Sequence, residues 1–571
     1  MSATVGNHAV DVHPYQKVIG CSVFWYFLLL NAFGYRSAQR KSELPVARQA
    51  GIWRSILAMN LGRLITRSAH YWPDRIAIKD KKGATTYLDL DERTNRLANA
   101  LVDLGLSKGD RVAVLAWNRS EIVEAEVALF KGGFTRVPIN ARLSDDEVVH
   151  VCNDSNVQVL LVDPEHLTAA EKALTNCNGL KAHFVMGDGG SYEDSLDQAE
   201  ATPCCVDVAD SDTMVHHYTS GSSGVLKAAM HSAGNRRAIL RKITFRSRLH
   251  PDDPEVFVHV GPITHVSGMA LMPLLAQGHT NVLLSRFDVD SYLSTLQKEK
   301  ATQTYLVPTM INRILAAPNR DDYDISSLKM IRYGAAPISP ARLREAVEFF
   351  GPILNQGYGA GETCSSVTLL TEADHALAMK ERPELFSSCG RALFETRVKV
   401  VDDAGNDMPV GERGELIVEG EDVMQGYYNA PELTEPVLKN GRYHTGDIAY
   451  IDETGYIFIV DRKKDMIVTG GFNVYPNEVE HALFERTEVF EVCVVGVPDP
   501  DLGEAVKAVV VPRDGARIDK AALIAHCVDK LGKFKKPHSV DVVAELPKND
   551  AGKILRRKVR DGYWVGAERK V

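Results

Sequence analysis

From Ile76 onward, apolar runs of strand length alternate with stretches of helical spacing. Arg111-Val-Ala-Val-Leu-Ala reads as a buried strand and Val159-Leu-Leu-Val-Asp as a second, while Glu121 to Lys131 between them has helical periodicity. Apolar strands separated by helices predict parallel sheets covered on both faces. The pattern changes around Val460-Asp461, where Gly-rich turns and short strands such as Glu491-Val-Cys-Val-Val-Gly-Val precede a Lys-rich tail. Residues 461 to 571 are enough for a small α+β domain of their own, and no internal repeat or low-complexity block interrupts the chain.

The first 58 residues have a different texture. Val18 to Tyr35 carries no charge and is flanked by Lys17, then by Arg36, Arg40 and Lys41. As a helix this run spans about 27 Å, barely a bilayer core. Positive charge is denser after it than before, which would leave the body of the protein in the cytosol. The start is not basic and no clear Ala-x-Ala site follows, which argues against a cleaved signal peptide. Three readings stay open: a membrane anchor over 18–35, a disordered leader, or a translated region upstream of a start at Met59.

At 571 residues the chain exceeds one ordinary domain, and 45% hydrophobic with 25% charged residues is a soluble globular composition. A net charge of −9 argues against a general nucleic-acid binder. Of nine cysteines only Cys204-Cys205 are adjacent and none forms C-x-x-C, a pattern of reduced cytosolic thiols rather than disulfides or zinc ligands. A cytoplasmic protein, or one with its body in the cytosol if the leader is an anchor, is the expectation.

The chemistry concentrates in Thr219-Ser220-Gly221-Ser222-Ser223-Gly224-Val225-Leu226-Lys227. Gly221 and Gly224 let backbone N–H groups approach phosphate oxygens, four hydroxyls add donors, and Lys227 brings a point charge. The second glycine lies three residues before the lysine, so the Walker-type spacing fails.

The run Tyr218 to Lys227 resembles the phosphate loop of the adenylate-forming superfamily, which includes acyl-CoA synthetases, luciferases and peptide-synthetase adenylation domains. Further matches follow in family order. Gly334-Ala335-Ala336-Pro337 resembles the adenine-side turn, and Gln356-Gly357-Tyr358-Gly359-Ala360-Gly361-Glu362 the next nucleotide motif. Tyr443-His444-Thr445-Gly446-Asp447 resembles the ribose motif, and Asp461-Arg462-Lys463-Lys464-Asp465 the hinge, which leads into Gly470-Gly471-Phe472-Asn473-Val474-Tyr475-Pro476. Gly552-Lys553-Ile554-Leu555-Arg556-Arg557 resembles the catalytic-lysine motif, and Asn60-Leu-Gly-Arg-Leu-Ile-Thr a family N-terminus. The implied fold is α/β: a large multi-sheet N-terminal domain over 59–460 that binds ATP and acid, and a small mobile α+β C-terminal domain over 461–571.

The resemblance also implies roles. Thr219, Ser220, Gly221, Ser222, Ser223, Gly224 and Lys227 would hold the β- and γ-phosphates of ATP, with Glu362 holding Mg²⁺. Gly334, Ala335, Ala336, Pro337 and Gly359 would border adenine, and Tyr358 would stack on it. Asp447 and Arg462 would take the ribose. Lys553 would bridge the acyl carboxylate and the α-phosphate in the transition state. His265, in Gly261-Pro-Ile-Thr-His-Val-Ser-Gly, would separate the acyl pocket from the thiol tunnel. Lys464 would be the pivot, Gly470 and Gly471 would reach the tunnel after the swing, and Phe534 and Lys536 would meet the CoA nucleotide. Arg556, Arg557, Lys558 and Arg560 read as a solvated basic face, and Cys364 as a packing or pocket-lining residue.

The chain departs from the family in three places. Leu226-Lys227-Ala228 stands where Pro-Lys-Gly is usual, and Gly361 where a Thr is usual, with Thr363 nearby. Gly334, Gly359, Ala360 and Gly361 leave side-chain volume missing where acyl pocket meets nucleotide, which predicts a bulky or long apolar acid. Asn235-Arg236-Arg237 replaces the acidic residue of amino-acid-activating relatives. The expected reaction is ATP-dependent activation of a hydrophobic carboxylic acid as an acyl-adenylate, then thioester formation with CoA. The alternatives are an enzyme that stops at the adenylate or serves a carrier-protein thiol, a luciferase-like oxygenase, and a non-catalytic nucleotide-binding scaffold. A homodimer is left open.

Overall fold

The computed structural model describes residues 60–219, 226–246, 253–548 and 554–565. The apolar run 18–35, Ser220 to Gly224 and Lys553 lie outside these residues. Among the described residues no helix is long and apolar enough to cross a membrane.

A six-stranded sheet runs in the order Ala182–Val185, Val159–Val162, Arg111–Leu115, Thr135–Ile139, Thr213–Thr219, Lys227–Ser232, parallel except for the last strand, which returns antiparallel. Alternate residues of its central strand enter different cores. Val112 and Val114 pack with the helices Tyr87–Asp103 and Ser120–Gly132, whereas Ala113 and Leu115 pack with Asp145–Asp154 and Leu167–Asn176. The strand therefore has to be apolar on both faces, as its sequence is.

A nine-stranded sheet has a parallel centre that includes Gln303–Leu306, Met330–Gly334 and Leu354–Gly359, and antiparallel strands at its edges. A third sheet was not legible from the apolar pattern. It is antiparallel, formed by Thr396–Val401, Gly414–Gly420, Leu438–Lys439, Arg442–Ile451 and Ile457–Arg462. Its longest strand, Arg442–Ile451, is buried only at Tyr443 and Ala449, so polar and half-buried positions dilute the apolar run.

Past the turn Lys463–Asp465, a fourth sheet joins Ile467–Thr469, Phe472–Val474, Val489–Asp499, Gly503–Pro512 and Ser539–Val542 around its own apolar core. The expected short strand Glu491–Val497 is instead an 11-residue strand, Val489–Asp499, paired along its length with Gly503–Pro512. Cross-strand pairing carries it through Pro498 and Asp499, where local propensity alone would end it. The whole is a large multi-sheet α/β part followed by a smaller α+β part.

Candidate active site

Three sheets bring their strand ends to one place. Thr219 ends one strand and Lys227 opens the next as its antiparallel partner, so the two residues stand opposite each other. Gly334 and Gly357 are partners on adjacent parallel strands, which puts Ala335-Ala336-Pro337 beside Tyr358 to Glu362 at the carboxyl edge. Ligands of open α/β sheets bind outside that edge. Two non-glycine residues there adopt left-handed backbone, Ala335 at φ 68° and Cys364 at φ 56°. Such strain persists where the surrounding structure fixes it and clusters at functional sites.

Glu362 is 7% exposed. Its Oε1 accepts hydrogen bonds from the Tyr427 hydroxyl at 2.6 Å and from Thr219 Oγ1 at 3.4 Å. Lys227 Nζ lies 3.8 Å from the centre of the Tyr427 ring. Burial pushes the Lys227 ammonium below its ordinary range, against the opposing pull of Glu362. One buried carboxylate without a protein cage suits Mg²⁺, which prefers one or two carboxylates plus phosphate oxygens and water. Among the described residues no three His, Cys, Asp or Glu converge to hold a metal by themselves.

The Tyr358 hydroxyl donates to Asp447 Oδ2 at 2.5 Å, and Arg462 Nε stands 3.5 Å from Asp447 Oδ1. Asp447 and Arg462 face each other across paired strands. Residues 358, 447 and 462 thus meet although they are far apart in sequence. Tyr358 is anchored through its oxygen, and burial followed by the Asp447 charge raises its hydroxyl well above the usual range.

His265 meets the ring of His217 edge-on at 5.6 Å, and His217 stacks with His231 at 5.4 Å. Burial first, then Arg136 and Arg142, lower the His265 imidazole to about 4. Burial likewise holds His217 well below its usual value and His231 at about 3, so all three rings are neutral at pH 7. His231 Nε2 lies 2.7 Å from the Gly361 carbonyl oxygen and braces the turn that carries Glu362. Sequence reasoning missed His217, His231 and Tyr427, because only strand pairing and long-range packing bring them here.

Several expectations are corrected. The glycines do not leave open room. A Cβ at Gly334 would lie 2.2 Å from the Gly357 carbonyl oxygen, one at Gly359 2.1 Å from that of Ser365, and one at Gly361 2.5 Å from Thr219 Cγ2. These positions are glycine because neighbouring atoms already occupy the space. Thr363 does not replace the absent hydroxyl at 361 either, since its Oγ1 is spent on the Ala360 and Ser365 carbonyls at 3.1 and 2.9 Å. Asn235 and Arg236 are structural: the Asn235 amide bonds the Glu421 and Val423 carbonyls, and Arg236 pairs with buried Glu126 at 3.1 Å. Cys364 is buried with Ile239, Ile243 and Met269.

Arg556 is not part of a solvated face. It reaches Asp461 at 3.2 Å, Asn477 at 2.9 Å and Glu480 at 2.8 Å, joining the catalytic-lysine motif to the hinge motif. Burial raises the Asp461 carboxyl to about 6, and the Arg556 charge only partly offsets it. Lys464 is exposed, yet partial desolvation of its ammonium and repulsion from Arg462 push it down to about 8.

In the smaller part, Gly470 (φ 55°) and Gly471 (φ 83°) make the two-residue turn between Ile467–Thr469 and Phe472–Val474, the geometry of a tight hairpin. The turn presents exposed Phe472 against exposed Phe534, ring centres 5.4 Å apart. The segment expected to reach the thiol tunnel therefore touches the one expected to meet the CoA nucleotide, in which Lys536 is half-buried.

A family model described as AMP-binding enzyme matches residues 65–428, and one described as AMP-binding enzyme C-terminal domain matches 478–553. The chain belongs to the AMP-binding enzyme family. A feruloyl-CoA synthase of Amycolatopsis sp is 38% identical over 502 residues, covering 88% of this chain and 98% of that protein. The medium/long-chain-fatty-acid–CoA ligase FadD8 of Mycobacterium tuberculosis is 34% identical over 501 residues, 84% of this chain and 86% of its own. Among solved structures, ATP-bound MatB from Rhodopseudomonas palustris aligns with a TM-score of 0.80 at 31% identity, over 89% of this chain and 99% of that one. The amide bond synthetase McbA from Marinactinospora thermotolerans aligns at 0.81 and 31%, over 88% and 99%. Acyl-CoA ligases of this family use ATP, Mg²⁺ and CoA.

Proposed function

We propose that this enzyme activates a hydrophobic carboxylic acid, aryl or fatty, as an acyl-adenylate and passes the acyl group to CoA. The observation that carries the reading is the convergence of Thr219, Lys227, Glu362, Tyr358, Asp447 and Arg462 on one edge. The apolar cluster of Ile239, Ile243, Met269 and Cys364, which follows Glu362 closely in the chain through Cys364, supports an apolar acid. So do the feruloyl-CoA and fatty-acid ligases among its relatives.

In the first half-reaction an acid oxygen attacks the α-phosphorus of ATP and pyrophosphate leaves. Such transfers need positioning and charge neutralisation more than covalent help. The pair Thr219/Lys227 and the loop Ser220 to Gly224 hold the departing phosphates. Mg²⁺, when bound at Glu362, neutralises phosphate charge. Asp447, fixed by Tyr358 and Arg462, accepts from the ribose hydroxyls, while Ala335, Ala336 and Pro337 flank the base. Lys553 stabilises the charge developing between acid and phosphate.

In the second half-reaction the smaller domain, taken as 461–571, turns about Lys464. Lys553 withdraws, Gly470-Gly471 approaches the thiol, and Phe534 with Lys536 receives the CoA nucleotide. His265, neutral at pH 7, serves as the gate between acyl pocket and thiol path rather than as a cation.

The test is pyrophosphate release and thioester formation, with and without CoA, over acetate, octanoate, palmitate, ferulate and a polycyclic acid. CoA-dependent turnover confined to the hydrophobic acids is expected. Adenylate made but not passed to CoA, or passed only to an amine or a carrier-protein thiol, would overturn the acceptor.

A further inference from the structure

The short segment 424–428 is strapped to both sides of the phosphate end of the site. Met230 N donates to the Gly426 carbonyl at 2.9 Å and Tyr428 N to that of Ala228 at 2.9 Å, so the segment lies along the strand that Lys227 opens. Met424 N donates to the Glu362 carbonyl at 2.8 Å, tying its other end to the turn Gly361–Thr363. Tyr427 N is held by Thr434 Oγ1 at 2.9 Å. The ring projects from this strap between two groups of opposite charge. Its hydroxyl donates to Glu362 Oε1 at 2.6 Å, and its face carries the Lys227 ammonium at 3.8 Å. Tyr427 is 4% and Glu362 7% exposed, so the hydroxyl contact is shielded from bulk water, while Lys227 is half-buried against the ring.

We propose that Tyr427 is a positioning residue that presets the spacing of the phosphate-loop lysine and the metal carboxylate before nucleotide and metal arrive. The proposal rests on the assignment of Glu362 to Mg²⁺ and of Lys227 to phosphate. Without the ring the two charges would be free to close on each other, and the site would have to break that pair to bind its substrate. The ring avoids this by giving each charge a separate partner. A hydrogen bond holds the anion, and the negative quadrupole face holds the cation.

The two contacts can be removed one at a time in the full-length protein. Tyr427→Phe keeps the ring and loses the hydroxyl, whereas Tyr427→Leu loses both. Calorimetric titration reads ATP binding without metal and with a Mg²⁺ series, and pyrophosphate release gives the Mg²⁺ concentration for half-maximal rate. For Tyr427→Phe we expect that concentration to rise about ten- to a hundredfold, the range for a lost hydrogen bond to a charged group, with metal-free ATP affinity unchanged. Tyr427→Leu should weaken metal-free ATP binding as well. In a Glu362→Gln background, Tyr427→Phe should add nothing to the Mg²⁺ dependence.

Unchanged Mg²⁺ dependence in Tyr427→Phe overturns the proposal. So does an equal effect with and without Glu362, or a loss of kcat that only follows a lower Tm. A wild-type protein that binds Mg²⁺ and ATP but adenylates no acid would defeat the functional reading. The calorimetric series would still decide the role of Tyr427.

Discussion

Gly361→Ala puts the packing of the nucleotide turn to a direct test. The added methyl would sit 2.5 Å from Thr219 Cγ2 and 2.9 Å from His217 Cδ2, well inside contact distance. The turn cannot retreat freely, because the Gly361 carbonyl lies 2.7 Å from His231 Nε2. Thr219 must therefore yield, and Thr219 both pairs with Lys227 and donates to Glu362. Overpacking of this kind typically costs about 1–3 kcal/mol, or about 5- to 150-fold in an equilibrium or rate constant.

The loss should appear in kcat/KM for ATP and be the same for acetate, octanoate, palmitate and a polycyclic acid, read as pyrophosphate release at saturating acid. Thr219→Ser removes Cγ2 and should restore part of the loss in the double variant, a coupling that independent sites would not show. Losses confined to the bulky acids, with acetate unaffected, would refute this reasoning and make Gly361 part of the acyl pocket after all.

Lys553→Ala should abolish adenylate formation, at roughly a hundred- to thousandfold in rate, yet leave thioester formation from supplied acyl-adenylate largely intact; the two half-reactions assayed separately check this. Arg556→Met leaves Asp461 and Glu480 buried without their cation, so Tm should fall by the equivalent of about 3–5 kcal/mol. The Asp461 carboxyl already stands at about 6 against an ordinary 3.8, so between those values the folded protein binds more protons than the unfolded one and this group makes stability fall as pH rises. Losing Arg556 raises that carboxyl further, so the Tm gap between variant and wild type should widen from pH 5 to pH 8, and a constant gap would count against the buried pair. With His265 at about 4, the thioester rate should show no limb near pH 6.5 that vanishes in His265→Gln; such a limb in the pH profile would mean the imidazole is solvated and titrating.

Much of this protein is written locally. The strand Arg111–Leu115 is legible because a central parallel strand must be apolar on both faces, and the Gly470-Gly471 hairpin because only glycine takes two successive left-handed residues cheaply. The turns Gly361–Thr363 and Lys463–Asp465 are also marked locally, by residue types within a few positions of one another. What the sequence could not decide is what each residue faces across the fold. Gly361 looks like vacant room until Thr219 and His217, more than 140 residues earlier, are found in that room. Arg556 looks like one more basic residue in a charged tail until Asp461 and Glu480 close around it. Tyr427 carries no signal until strand pairing lays its segment beside Lys227 and Glu362. Volume and charge compensation depend on which distant segments are packed together, and only the tertiary structure settles that.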